Sequence, residues 1–216
     1  MSQRMIYQTE TTRLKILEQA ETCFSDSGFF ETQMKDIAVA TGMSRNTLYR
    51  YFRDKTELGL AILELTLNRK IEKLSDKINR ALKDDHRLAL EKISTLFREV
   101  YEEEGNETDD RFIAEFDAFY SGARIPEGFR AKVKNAINIA ATGQLDDLIE
   151  AGKIDGSIRK DIDTHLMSLT LTTALHSFHQ RMLLRGPALV ELDENEGPEL
   201  LPMLLQLLTD GMRAHK

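Results

Sequence analysis

Apolar residues recur at helical spacing along almost the whole chain, and no segment alternates apolar and polar residues as a half-buried strand does. The four prolines all lie after residue 125, so nothing rigid interrupts the first half. Such a chain reads as all-α. Leu14, Leu17, Ala20 and Phe24 share one helical face, with Thr11 or Thr12 as the start cap and Gly28 as the stop. A short second helix follows, with Thr32 expected as its N-cap and Met34, Ile37 and Ala38 turned inward; Gly42 ends it. Ser44 caps a third helix bearing Leu48 and Phe52. Asp54 opens a fourth, with Glu57 completing an Asp-x-x-Glu capping box. Its apolar positions run from Leu58 to Leu82, roughly 25 residues and on the order of 38 Å.

Further helical patterns cover about Arg87 to Glu103, then Phe112, Phe116 and Phe119, then a stretch starting at Pro126 and carrying Phe129, Val133, Ile137, Leu145, Leu148 and Ile149. Gly152 and Gly156 bracket a turn. Asp161 can cap a long helix to about Arg185, Gly186–Gly197 reads as an acidic loop, and Pro198 suits the first turn of a Leu-rich last helix. About nine helices result. Residues 1–54 form a compact three-helix unit, and 55–216 a larger helical body.

Charge is uneven. Residues 1–60 carry eight basic and eight acidic side chains, so the whole excess of −7 falls later. Ser44–Lys55 holds Arg45, Arg50, Arg53 and Lys55 against Asp54 alone. A local basic cluster on an acidic chain fits a polyanion partner, although solvated charged faces are the commoner origin of such clusters. A histone-like, globally basic binder is excluded. The single Cys23 rules out an intramolecular disulfide and a Cys-based zinc site, and its place on an apolar face favours packing over redox sensing. No apolar run reaches membrane-spanning length and no signal-peptide core precedes the first helix, so the expectation is a cytoplasmic protein without membrane contact.

The stretch Met34–Tyr51 has the spacing of a helix-turn-helix. Two helices crossing at about 90–120° leave room only for a small residue, here Ala38. The turn needs a positive φ, which Gly42 adopts freely. Ile37, Met43 and Leu48 fill the wedge between the helices. Arg45, Asn46, Thr47, Tyr49 and Arg50 are then left on the outer face.

The run from Gly28 to Leu58, with its Ile37-Ala38 pair, Gly42-Met-Ser44 turn, Thr47-Leu-Tyr-Arg-Tyr-Phe52 block and Lys55-x-x-Leu58 ending, resembles the N-terminal domain of TetR-family transcriptional regulators. The likeness covers about residues 12–60, roughly a quarter of the chain. It implies a helix-turn-helix DNA-binding domain joined to a helical effector-binding and dimerisation domain. Gln33 stands where the family usually has Ser or Thr, and Asn46 where Gly, Ala or Pro is frequent, so an operator cannot be copied from a relative.

The recognition helix would present Arg45, Asn46 and Thr47 to base edges, Arg suited to guanine and Asn to adenine. Thr32, Gln33, Lys35, Ser44, Tyr49, Arg50, Tyr51 and Lys55 complete the expected DNA contacts, chiefly to phosphate, with helix N-termini assisting. The partner would be double-stranded DNA with a pseudo-palindromic operator, bound by a homodimer formed through the last two long helices. The resemblance also implies a small-molecule effector. Phe97, Tyr101, Phe112, Phe116, Phe119, Tyr120, Met167, His176 and Phe178 are the candidate lining residues, although plain core packing is the commoner role for each. They suit an apolar or aromatic compound. His176 and His179 are expected as hydrogen-bonded helix residues rather than a metal site, with no Cys nearby and only His165 close upstream. No cofactor is expected, and no Ser/His/Asp order, phosphate-cradling Gly loop or carboxylate pair marks an enzyme.

The expectation is a sequence-specific DNA-binding regulator, a repressor released by its effector. One rival is an effector-independent binder of the same fold controlled by a protein partner. The other is a ligand carrier or enzyme with a vestigial helix-turn-helix, which would require the Arg45–Arg50 face to be buried.

Overall fold

A computed structural model describes residues 3–84, 86–101, 107–129, 131, 133, 139–190, 193 and 196–214. Among them lie nine α-helices: α1 (Gln3–Glu31), α2 (Met34–Thr41), α3 (Arg45–Tyr51), α4 (Lys55–Leu82), α5 (Ala89–Tyr101), α6 (Glu107–Phe119), α7 (Ile139–Asp155), α8 (Thr164–Arg185) and α9 (Gly197–Met212). Two single 3-10 turns occur at Gly122–Arg124 and Gly186–Ala188. No strand forms among the described residues beyond an isolated antiparallel bridge between Ile158 and Arg213, which ties the turn after α7 to the tail of α9. No described helix is long and apolar enough to cross a membrane.

The residues fall into two compact units that are not sequential blocks. The first takes Met1–Asn68 together with Thr108–Ala136, and the second takes Arg69–Glu107 and Ile137–Lys216. The chain enters the second unit halfway along α4, returns to the first for α6, and leaves it again. The core of the first unit packs Ile16, Phe24, Phe29, Ile37, Leu48, Phe52, Leu58 and Ile62 with Phe112 and Phe116 of α6. That of the second packs Ile78, Ile93, Phe97, Leu148, Ile149, Ile158, Met167, Leu171 and Leu175.

Several ends differ from the expectation for local reasons. Helix α1 begins at Gln3, because no Gly or Pro stands between it and Thr11. The N-cap of α2 is Gln33 rather than Thr32. The Thr32 hydroxyl is turned backwards instead, donating to the Gly28 carbonyl at 2.7 Å and the Cys23 carbonyl at 3.1 Å. Asp163, not Asp161, caps α8, accepting the Leu166 N–H at 2.8 Å. Asp161 is held by the Arg159 guanidinium through hydrogen bonds of 2.7 and 2.6 Å. Pro198 does sit in the first turn of α9. The helix expected from Pro126 is described in part: Phe129 donates to the Pro126 carbonyl at 3.1 Å, and Ile137 lies outside the described residues. The acidic run Glu102–Glu104 also lies outside them.

Candidate nucleic-acid interface

The exposed polar face is held from beneath by an apolar wedge. Ile37 and Leu48 are fully buried, Ala38 and Met34 nearly so, and Met43 packs against the same cluster. The turn between α2 and α3 is made by Gly42 at φ 69°, ψ 23°, a left-handed conformation that a side chain would strain. Its N–H and that of Met43 return to the carbonyls of Val39 and Ala38, at 3.0 and 2.9 Å. Ser44 then caps α3, its hydroxyl oxygen accepting the Thr47 N–H at 3.1 Å. Arg45, Asn46, Tyr49 and Arg50 are all exposed, and Thr47 and Tyr51 are half-buried.

One side chain outside the motif completes this frame. The Arg13 guanidinium of α1 lies 4.2 Å above the Phe52 ring and donates to the Tyr51 carbonyl at 3.3 Å. It thereby satisfies an orphan carbonyl at the end of α3 and places a cation where the helix dipole favours one. From sequence, Arg13 counts only as charge. A hydrogen bond across 38 residues leaves no local signal.

Beside the outer face of α3 lies an open cleft of about 340 Å³, lined by Phe30, Thr32, Gln33, Met34, Lys35, Arg45, Tyr49 and Lys55. Three cations ring an apolar floor. Thr32 is buried with its hydroxyl turned inward, whereas Gln33 and Lys35 are exposed. Gln33 also gives its N–H to the Asp36 carboxylate at 2.9 Å. The Lys55 ammonium donates to the Phe30 carbonyl at 3.2 Å and stands over the rings of Phe29 (4.4 Å) and Phe119 (5.5 Å). Burial pulls its pKa below the ordinary lysine value, while the Glu31 and Glu115 carboxylates favour the charged form. Asp54 caps the start of α4, accepting the Glu57 N–H at 2.8 Å, while the Glu57 carboxylate accepts the Arg53 N–H at 2.7 Å, one residue before the N-cap N–H that a capping box uses.

A helix-turn-helix with a capped, exposed third helix beside a cationic cleft can be matched against known proteins. The model of bacterial regulatory proteins of the tetR family matches residues 16–62, which hold the wedge, the turn and the cap of α4. Residues 16–62 are a TetR-family N-terminal domain. The chain is 19% identical over 153 residues to the fatty acid metabolism regulator protein of Bacillus subtilis, covering 71% of this chain and 74% of that protein. Against the transcriptional repressor KstR2 of Rhodococcus jostii it is 28% identical over 165 residues, 71% of either chain. The HTH-type transcriptional regulators YfiR of Bacillus subtilis and AcrR of Shigella flexneri match at 40% and 35% identity over 60 and 66 residues only, under a third of their length. The crystal structure of Thermus thermophilus FadR, a TetR-family repressor in complex with lauroyl-CoA, superposes with a TM-score of 0.63 at 22% identity, over 94% of this chain and 96% of that one. The TetR fold thus extends through both units.

The residues expected to line an effector site divide between the units. Phe112 and Phe116 are buried in the first unit, and Phe119 and Tyr120 pack against the same core. There Phe29 is the hub of a ring cluster, its centroid 5.1 Å from Phe116 and 5.5 Å from Phe119. Phe97 and Met167 belong to the core of the second unit. Tyr101 meets the His179 ring edge-on at 5.3 Å, Phe178 is half-buried, and His176 is exposed. His165 pairs with Asp146 at 3.0 Å, and no group of three metal-ligating side chains occurs among the described residues.

Proposed function

We propose that this chain is a homodimeric, sequence-specific DNA-binding repressor of the TetR type that an apolar acyl compound releases from its operator. The observation that carries the DNA-binding part is the outer face of α3. Its apolar side is locked into the wedge, while Arg45, Asn46, Tyr49 and Arg50 stand exposed beside a cleft ringed by Lys35, Arg45 and Lys55. A vestigial helix-turn-helix would have no reason to keep that face clear of its own chain. Arg45 and Asn46, in the first turn of α3, read bases in the major groove. Gln33, Lys35, Tyr49 and Lys55 hold phosphates, which fix register without reading sequence.

One short helix reads too few base pairs to specify a site, and a dimer places two about 34–36 Å apart on a pseudo-palindrome. The outward faces of α8 and α9 support such pairing: Leu166, Leu169 and Leu184 on the first, Met203 and Leu207 on the second, are exposed. The effector class is carried over from the relatives. The Bacillus relative is named for fatty acid metabolism, and the Thermus structure holds lauroyl-CoA. An acyl chain suits the aliphatic core of the second unit, where Phe97 and Met167 lie.

A gel shift with the DNA upstream of the protein's own gene tests this. Retardation at nanomolar protein, abolished by an Arg45→Ala, Tyr49→Ala double variant and reversed by lauroyl-CoA, is the expected result. Retardation that lauroyl-CoA leaves untouched removes the acyl effector and keeps the DNA reading. No retardation of any fragment from a genomic pool removes both.

A further inference from the structure

Helix α6 presses a carboxylate into the DNA-reading unit at the one place where α1 is broken. Gly28 adopts φ 79°, ψ 156°, so the Phe29 N–H leaves the helical ladder. That donor is taken by the Glu115 carboxylate, which is itself buried and is steadied by the Arg111 guanidinium at 3.0 Å. A side chain on Gly28 would meet the Glu115 oxygen at 3.0 Å, so the break and the carboxylate fit one another. Five residues on, the Tyr120 hydroxyl reaches the first turn of α4 and bonds Thr56 at 2.7 Å. Both hydrogen bonds end on neighbours of one side chain. Thr56 follows Lys55 in sequence, and the Lys55 ammonium lies over the ring of Phe29, whose N–H Glu115 holds, and donates to the carbonyl of the next residue, Phe30. Lys55 lines the cleft with Gln33, Lys35 and Arg45.

We infer that Glu115 and Tyr120 are positioning residues for DNA binding, which pin the end of α1 and the start of α4 so that the Lys55 ammonium is presented to a phosphate. This rests on the DNA reading above. A flexible lysine that must be ordered on binding gives up affinity to entropy, whereas one already seated against two rings and a carbonyl gives up little. Burial lowers the Lys55 pKa, and the Glu115 charge acts with that of Glu31 against this shift. Neither side chain touches the cleft itself. Their effect on DNA therefore passes through Lys55.

The salt dependence of binding separates this role from a merely structural one. Binding constants are measured by fluorescence anisotropy on a duplex that the wild-type chain selects from a random-sequence pool, between about 50 and 200 mM salt. Lys55→Met lowers the slope of log K against log salt by about 0.9 for each phosphate that the protein no longer neutralises. Glu115→Ala and Tyr120→Phe are expected to lower it in the same direction, and neither lowers it further in the Lys55→Met background. Glu115→Gln, which keeps an acceptor for the Phe29 N–H, restores most of the slope. The ratio of affinities for the selected and a scrambled duplex stays as in the wild type, because Arg45 and Asn46 are untouched. Slopes equal to wild type in both Glu115→Ala and Tyr120→Phe overturn the inference, as does full additivity with Lys55→Met. If thermal melts find Glu115→Ala unfolded, Tyr120→Phe decides alone. A wild-type chain that selects no duplex removes the DNA reading itself, an outcome distinct from one that binds with unaltered slopes.

Discussion

Gly28 has a backbone conformation that a side chain would oppose. Its φ of 79° with ψ near 156° lies in a region open essentially to glycine alone, and an added Cβ would stand 3.0 Å from Glu115. Gly28→Ala therefore suffers both strain and crowding, and is expected to destabilise the fold by about 1–3 kcal/mol. A urea titration followed by circular dichroism reads this as a lower midpoint with an unchanged slope. A midpoint equal to that of the wild type would mean that α1 continues helically through residue 28. The glycine was legible in the sequence as a helix stop, and so was Gly42 as a turn. The carboxylate that meets Gly28 was not, since Glu115 reaches Phe29 across 86 residues. Arg13 on Phe52 was hidden for the same reason. A sequence shows which residues punctuate a helix, but the partner that fills the gap comes from packing.

Caps are the element-scale counterpart. Ser44 and Asp54 were readable because the capping donor lies three residues further on, within one turn. Thr32 and Asp161 illustrate the limit. Each has the right chemistry one or two positions too early, and a competing partner occupies it: carbonyls of Gly28 and Cys23 for Thr32, the Arg159 guanidinium for Asp161. The aromatic run of α6 was visible as a helix face, yet only packing assigns Phe112 and Phe116 to the core that also holds Leu48 of α3. The Asp54 cap has a pH signature. Burial raises its pKa, but the Glu57 N–H and the Arg53 guanidinium outweigh this and hold it below the usual carboxylate value. A carboxyl whose folded pKa is depressed stabilises fully above its unfolded value, about 3.9, and loses that contribution as the pH falls through the folded value. Asp54→Ala is thus expected to cost about 1 kcal/mol at neutral pH, the worth of an N-cap. The gap between wild type and variant should narrow below about pH 4. Urea midpoints for both proteins across that range check it, and a gap that stays constant into acid would mean the charged form of Asp54 is not what caps α4.

For the molecule as a whole, the proposed operator reading requires two copies acting together. Helices α8 and α9 bury Met167, Leu171, Leu175, Leu205 and Met212 within their own unit, yet leave Leu166, Leu169, Met203 and Leu207 exposed. Apolar side chains left outside their own unit's core are open to a partner, and a stable pairing needs about 800 Å² per partner. Leu207 is 62% exposed in the single chain, so a lysine there costs the monomer little, whereas in a paired interface it would bury an unmatched charge. Leu207→Lys is accordingly expected to melt like the wild type but to sediment at the monomer mass of 24.7 kDa rather than twice that. Its affinity for a two-half-site duplex should fall by at least about a hundredfold, because the second head no longer binds at the high effective concentration that pairing provides. On a duplex with one half-site, wild type and variant should differ little, since each is then read by a single head. A Leu207→Lys chain that remains dimeric, together with a dimeric Leu166→Lys, would place the two-fold axis on another face and detach the operator geometry from α8 and α9.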